Sequence, residues 1–248
     1  MARRSALLAA ALAVGASACA SQKAVKYDPF KVPRDQFYGS LNTVAVTPMR
    51  APADLENADA VKARFEAAVL TKLQTAGLKV IAPVDVGPII DAAAAAQGGI
   101  FDPATGEVVE AKAKAAEQAA LAQLKEKYGA DALLRVDLRV VPAMLSHDVA
   151  AWDGVTEDAG TGFWKAVLVG SHSGRIPALS IVVWLTAADG TELYAKAGGL
   201  RILGKVNAAG KQETIPHAEL FADENRNAQA LSIALDPLLG IAPPTPGS

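Results

Sequence analysis

Apolar and polar positions in this chain follow two periods, and the places where one gives way to the other mark its elements. Asn42 to Thr47 (NTVAVT) is a β-rich run closed by Pro48, which predicts a strand. From about Asp59 to Ala76 the period changes: Val61, Phe65, Val69 and Leu73 recur every fourth residue and line one face of a helix that Gly77 ends. Leu78 to Ala82 is a second short strand closed by a proline, and Pro88 is placed to open a short helix that runs to Gln97 before Gly98 and Gly99. After the turn-rich loop Gly98 to Gly106, the Ala, Glu, Lys and Gln content from Glu107 to Tyr128 predicts a long helix ended by Gly129.

The clearest strand follows. Leu134, Val136, Leu138 and Val140 alternate with Arg135, Asp137 and Arg139 until Pro142, a pattern that buries one face and wets the other. Residues 143 to 161 read as an irregular excursion. Phe163 to Val169 and Ile176 to Thr186 read as strands, the second apolar on both faces and hence central. Ala187 to Gly190 is a tight turn into a partner strand, Glu192 to Ala197. A polar segment runs to Thr214, and a last helix spans about Asp223 to Leu235, with Asp223 as N-cap and Pro237 as stop. This order predicts an α/β (α+β) fold in one domain, 42–240, with a mixed β-sheet and helices packed mainly on one face. Residues 241–248 form a loose tail.

The amino terminus carries a different signal. Arg3 and Arg4 precede eleven apolar residues, Ala6 to Ala16, and the small-residue junction Ala16-Ser17-Ala18. Eleven residues are too few to span about 30 Å of hydrocarbon, so residues 1–18 are read as a secretory signal peptide. Cys19, the single cysteine of 248 residues, follows that junction. One cysteine allows no internal disulfide, so the fold depends on packing. Residues 19–41 form an arm that holds Tyr27, Phe30, Phe37 and Tyr38, four of thirteen aromatics. A solvated linker is poor in such residues, so the arm is expected to lie along the domain surface, kept extended by Pro29 and Pro33. The competing reading is an exposed aromatic patch that awaits a partner. A formal charge of −2 without a polybasic run gives no reason to expect nucleic acid.

The junction before Cys19 resembles the lipobox of bacterial lipoproteins, although Ala16 stands where that family usually has Leu. The resemblance implies an acylated Cys19 at the mature amino terminus, with palmitate among the attached chains. Ala20 and Ser21 follow, with no Asp at the second position. The family pattern then implies the cell outer membrane, lipid-anchored on the periplasmic side. Further on, TVAVTP, LQTAGLKVIAP, YGADALLRVDL and LTAADGTELYAKAGG resemble, in order, the α/β domain of the TolB amino-terminal region and the curli-secretion lipoprotein. Members of that group serve as scaffold, regulatory or secretion parts. The expected function is a non-enzymatic protein-binding module of the envelope, with an envelope protein partner or a homo-oligomer and no cofactor. A secretion pore is disfavoured, because residues 162–186 are too uniformly apolar for membrane-crossing hairpins.

Chemical motifs are sparse. Gly199 to Val206 (GLRILGKV) nearly spells a phosphate loop, yet Val206 replaces the hydroxyl residue that would hold magnesium. Gly160-Thr161-Gly162 lacks the third glycine of a dinucleotide site. Gly170-Ser171-His172-Ser173-Gly174 has histidine where a nucleophile elbow needs serine. His147, His172 and His217 lack the i, i+4 spacing of metal ligands on one helix face. No catalytic or metal residue is assigned. His147, Asp153, Trp152 and His172 are the candidate partner or ligand surface. The alternative reading is a periplasmic hydrolase or metal-dependent enzyme that uses the His147 and His172 region.

Overall fold

A computed structural model of the chain describes residues 28–160, 173–207 and 211–241. In chain order the elements are α1 (Arg34–Ser40), β1 (Thr43–Val46), α2 (Ala58–Thr75), β2 (Lys79–Ile81), α3 (Pro83–Ala96) and α4 (Glu110–Tyr128). Then come β3 (Ala132–Ser146), β4 (Val149–Trp152), β5 (Val155–Asp158), β6 (Gly174–Ala187) and β7 (Glu192–Ile202). The small hairpin β8 (Gly204–Val206) and β9 (Gln212–Thr214) precedes α5 (His217–Leu220) and α6 (Glu224–Leu235). Strands β1 to β7 form one mixed sheet: β1 is parallel to β2 and β3, and β3–β6, β6–β7, β3–β4 and β4–β5 are antiparallel. The expected single mixed α/β domain is what the chain forms.

Helices cover both faces of that sheet, which corrects the expectation that they pack mainly on one. On the first face, Val44, Val46, Leu134, Val136, Ile181, Val183 and Leu185 pack with Phe65, Val69 and Leu73 of α2 and Leu231 and Leu235 of α6. On the second, Ala45 and Leu133 lie under Val86, Ile89 and Ala93 of α3 and Leu121 and Leu124 of α4. Because residues alternate across a strand, Val44 and Ala45 must face opposite layers. The Ala-rich α3 and α4 carry no marker of which face they will cover, and the crossover from β2 to β3 takes them to the side that α2 leaves free.

Several boundaries differ from the sequence reading. The third helix starts at Pro83, its first helical residue, and Pro88 lies inside it. A proline at that first position loses no helical hydrogen bond, and Pro88 costs only one. β3 runs straight through Pro142, because Pro142 sits directly opposite Pro177 of β6. Pro177 uses its outward carbonyl to accept from Leu203 N at 2.9 Å, so the missing N–H groups fall outside the β3–β6 ladder. The segment expected to be irregular holds two hairpins, closed at His147-Asp148 and Asp153-Gly154, all four residues at positive φ. Phe163 to Val169 lies outside the described residues.

The arm is docked, as the docking expectation required, but it is not extended throughout. Pro33 precedes a seven-residue helix, α1, that turns Phe37 into the core at 1% exposure. Phe30 stacks edge-on against Phe37 at 5.0 Å and against Tyr194 of β7 at 5.2 Å. Ala195 N donates to the Pro29 carbonyl and Lys31 N to that of Leu193. Tyr38 Oη donates to the Pro237 carbonyl at 2.6 Å, and burial pushes its hydroxyl above the ordinary tyrosine range.

Past residue 139 the layers change. The second face of β3 and β6 stays buried, with Ala143, Leu145, Ile176 and Ala178 packed against Ala150 and Trp152 of β4. The β4–β5 turn reaches the edge of β7, where Gly199 N donates to the Asp153 carbonyl at 3.1 Å and Ile202 N to Glu157 Oε2 at 3.1 Å. Glu157 is buried and also takes Arg226 of α6 at 2.7 Å, so its charge is compensated. Among the described residues no helix covers the first face here, and Val140, Pro142 and Met144 are exposed.

Candidate functional site

The connections after β1 and β2 leave in opposite directions, α2 to the first face and α3 with α4 to the second. Open α/β sheets form a crevice where neighbouring connections part in this way. Here it is a cavity of about 410 Å³, within the usual range for small-molecule sites. Its sheet side is Thr47 to Arg50, which continue β1 alongside β3, together with Leu133 and Arg135. Its helix side is Ile90, Asp91 and Ala94 of α3 and Ala113, Ala116, Glu117 and Ala120 of α4. Gly87 approaches the ring of Pro48 closely: a Cβ there would lie 3.1 Å from Pro48 Cγ.

The turn-rich loop Gly98 to Gly106 forms the mouth. Asp102 Oδ1 accepts from Ala104 N at 2.7 Å and Thr105 N at 3.1 Å, which folds the loop into a turn and pairs Phe101 with Val108. Both apolar side chains line the cavity and are about half exposed, at 54% and 51%. The pairing of Phe101 with Val108 brings the two exposed apolar side chains together at one edge of the cavity.

The strand that gives the cavity Leu133 and Arg135 was expected to have a wet polar face along its length. Instead Asp137 is buried, gives one oxygen to Arg139 at 3.2 Å, and keeps Oδ1 without a partner among the described residues. Arg135 and Arg139 lie against the ring of Trp184, at 4.8 Å and 4.4 Å. Thr47 is 7% exposed, and its hydroxyl has no hydrogen-bond partner among the described residues; the same holds for Nε of Arg135. Buried donors left unpaired cost about 1–3 kcal/mol each, so such a concentration in the wall of one cavity is unusual.

Among the described residues, those singled out from sequence do not converge. His147 is exposed in the β3–β4 turn, its Nδ1 3.1 Å from Ser146 Oγ. Asp153 sits in the turn at the other end of β4 and accepts from Ser180 Oγ at 2.6 Å. Trp152, read as part of a candidate surface, is buried and donates from Nε1 to the Leu179 carbonyl at 3.1 Å. Its indole is large enough to fill the space between β4 and the β6–β7 bulge, so the core takes it. His172 and Cys19 lie outside the described residues. His217 accepts from Glu56 N through Nδ1 at 3.1 Å, far along the chain from the other histidines. Among the described residues no three His, Cys, Asp or Glu side chains gather as a metal set, and no helix is long and apolar enough to cross a membrane.

Comparison with known proteins adds little to this geometry. No family model matches the chain, no curated protein sequence matches it, and the resemblance to the TolB and curli-secretion group gains no support. Among solved structures, Lipoprotein GNA1162 from Neisseria meningitidis is similar at 13% identity and a TM-score of 0.31, covering 64% of this chain and 82% of its own. A likeness at that level carries no argument about fold or function.

Proposed function

We propose that this chain is a lipid-anchored envelope protein, held through Cys19 at the periplasmic side of the outer membrane, whose α/β domain is a non-catalytic module that binds another envelope protein. The observation that carries the reading is the bare strip on the first face of the distal sheet. Val140, Met144 and Val149 are 49%, 56% and 44% exposed. The alternation of β3 and the pairing of Ser146 with Val149 put all three on one face, with Pro142 and Ala151 between them. An antiparallel sheet ordinarily presents polar residues to water on its outer face. Here the strip is apolar, on a rigid element, and its other side is a packed core.

The anchor fits this use. The described arm begins at Asp28, and 28 − 19 = 9 residues separate it from Cys19. Fully extended, nine residues reach about 30 Å, so the docked arm keeps the domain close to the bilayer. Cys19→Ala is expected to move the protein from the membrane to the soluble envelope fraction. A native mature protein whose amino terminus is anything but an acylated Cys19 overturns the anchor.

The partner is tested by Val140→Asp with Met144→Asp. Both side chains are exposed, so the melting temperature should stay within a degree or two, as surface changes are worth about ±0.5 kcal/mol. Crosslinking in intact envelopes should yield a discrete adduct with the native chain and at least several-fold less with the double variant. Equal adduct from both removes the strip from the interface.

A further inference from the structure

We infer that the cavity between the sheet and the α3–α4 pair is a binding site for a monocarboxylate carried on an apolar body. It does not depend on the protein-binding strip, which lies on the other face of the sheet. Arg135 presents a planar fork of five N–H donors, the geometry that matches a carboxylate with two parallel hydrogen bonds. Among the described residues its Nε has no hydrogen-bond partner and the side chain enters no ion pair. The Trp184 face beneath it fixes the guanidinium plane without using those donors. Thr47, nine-tenths buried and lining the same cavity, adds a hydroxyl that likewise lacks a partner among the described residues. A carboxylate supplies acceptors for both.

The charges around the cavity set the number of negative charges the ligand can bear. Arg50 and Arg135 stand on the sheet side, with Arg139 beyond them, against Asp137, whose one oxygen is already taken by Arg139. Asp91, exposed, and Glu117, half-buried, stand on the helix side. Arg139 and Asp137 offset each other, so Arg50 and Arg135 face Asp91 and Glu117 across the cavity; a carboxylate seated at Arg135 is paired there, whereas further negative charge reaching across would meet the helix carboxylates in a partly desolvated site. The remaining wall is apolar, from Ile90 and Ala94 across to Ala116, and opens between Phe101 and Val108. That wall calls for a hydrocarbon or aryl body rather than a sugar or a peptide, whose polar groups would go unpaired there.

The test is calorimetric titration of the full chain carrying Cys19→Ala, so that no attached lipid competes. The probe is phenylbutyrate, with phenylbutanol as the body without the charge and acetate as the charge without the body. Phenylbutyrate should bind in the sub-millimolar range, and both controls on the order of tenfold more weakly or not at all. Arg135→Met, which keeps the stem over Trp184 and removes the fork, should weaken phenylbutyrate on the order of tenfold, and Arg135→Lys should recover only part of it. Ala94→Leu, which narrows the cavity, and Thr47→Val should each weaken binding too; these two decide the matter if Arg135→Met fails to fold by circular dichroism. No binding to the parent chain overturns the site. Equal affinity for phenylbutanol overturns the carboxylate. An affinity left unchanged by Arg135→Met, or by both Ala94→Leu and Thr47→Val, overturns the placement.

Discussion

Gly198→Ala is expected to lower the melting temperature by on the order of 10 °C, a loss of about 3 kcal/mol or more for a chain of this size. Gly198 faces α6 from β7, and a Cβ there would run into the carbonyl oxygen of Ala230, with the carbonyl carbon at 2.9 Å and Ala234 N at 3.2 Å. The obstacle is helix backbone, which has no rotamer to yield, so α6 as a whole must withdraw from the sheet. Withdrawal loosens Leu231, Ala234 and Leu235 and stretches the 2.7 Å hydrogen bond from Tyr194 Oη to the Ala234 carbonyl. Because the clash is with the carbonyl and not the methyl, Ala230→Gly in the same chain should give no rescue. Gly199→Ala is the internal comparison: its Cβ would meet the side chains of Val155 and Trp152, and Val155 can turn away. Thermal unfolding followed by circular dichroism should rank Gly198→Ala well below Gly199→Ala; the reverse order would show that β4 and β5, not α6, limit the stability of this sheet.

The same pair of glycines shows where the sequence stops being informative. Read locally, Gly198-Gly199 ends a strand that begins at Glu192, because glycine weakens strands by offering nothing to pack. In the folded chain the lack of a side chain is what lets α6 lie on β7 and lets Trp152 reach the β6–β7 bulge, and neither approach leaves a local trace. Pro142 misled for a related reason: whether a proline breaks a ladder depends on which edge its nitrogen faces, and that is set by Pro177, thirty-five residues away. By contrast the α2 stripe was legible, since Phe65, Val69 and Leu73 are all buried where their spacing put them. So was Asp223 as N-cap, which accepts from the amides of Asn225 and Arg226. The Asp153-Gly154 step between Trp152 and Val155 was a hairpin signal of the strongest short-range kind and could have been read.

The cavity was the least legible feature. Its walls come from four separate places in the chain, 47–50, 87–120, 133–135 and Thr186, and nothing in any one of them marks a site. Arg135 in particular sits in a clean polar–apolar alternation, which reads as a wet strand face. Only the crossover that lays α3 and α4 over that face turns it into the floor of an enclosure. The signal that could have pointed there is topological: two successive connections, after TVAV and after LKVIA, both needed to cross the sheet, and they had to do so on different sides if the intervening helices were not to overlap.

Phe37→Ala is expected to release the arm. The ring is 1% exposed and holds Phe30 and Tyr38 in edge-to-face contacts at 5.0 and 5.1 Å. Removing a buried phenyl costs about 3–5 kcal/mol. That exceeds what a seven-residue helix gains on its own, since isolated helices of that length do not persist in water. Two backbone hydrogen bonds to β7 and the Tyr38 contact with the Pro237 carbonyl, ties that remain among the described residues, do not replace the buried ring. Limited proteolysis should then cut between residues 28 and 41 at a rate far above that of the native chain, while the 42–240 core stays resistant and Tyr194, normally covered by Phe30, becomes accessible to solvent. The consequence for the proposed anchoring follows from chain length. Freed as far as Leu41, the tether gains 41 − 28 = 13 residues, on the order of 45 Å of added reach. Energy transfer from a labelled bilayer to a dye on the domain should fall accordingly in Phe37→Ala, with Tyr38→Phe, which keeps the ring and loses one hydrogen bond, near the native value. Unchanged transfer and unchanged proteolysis together would mean that β7 alone holds the arm, and that the aromatic cluster serves only to close the core.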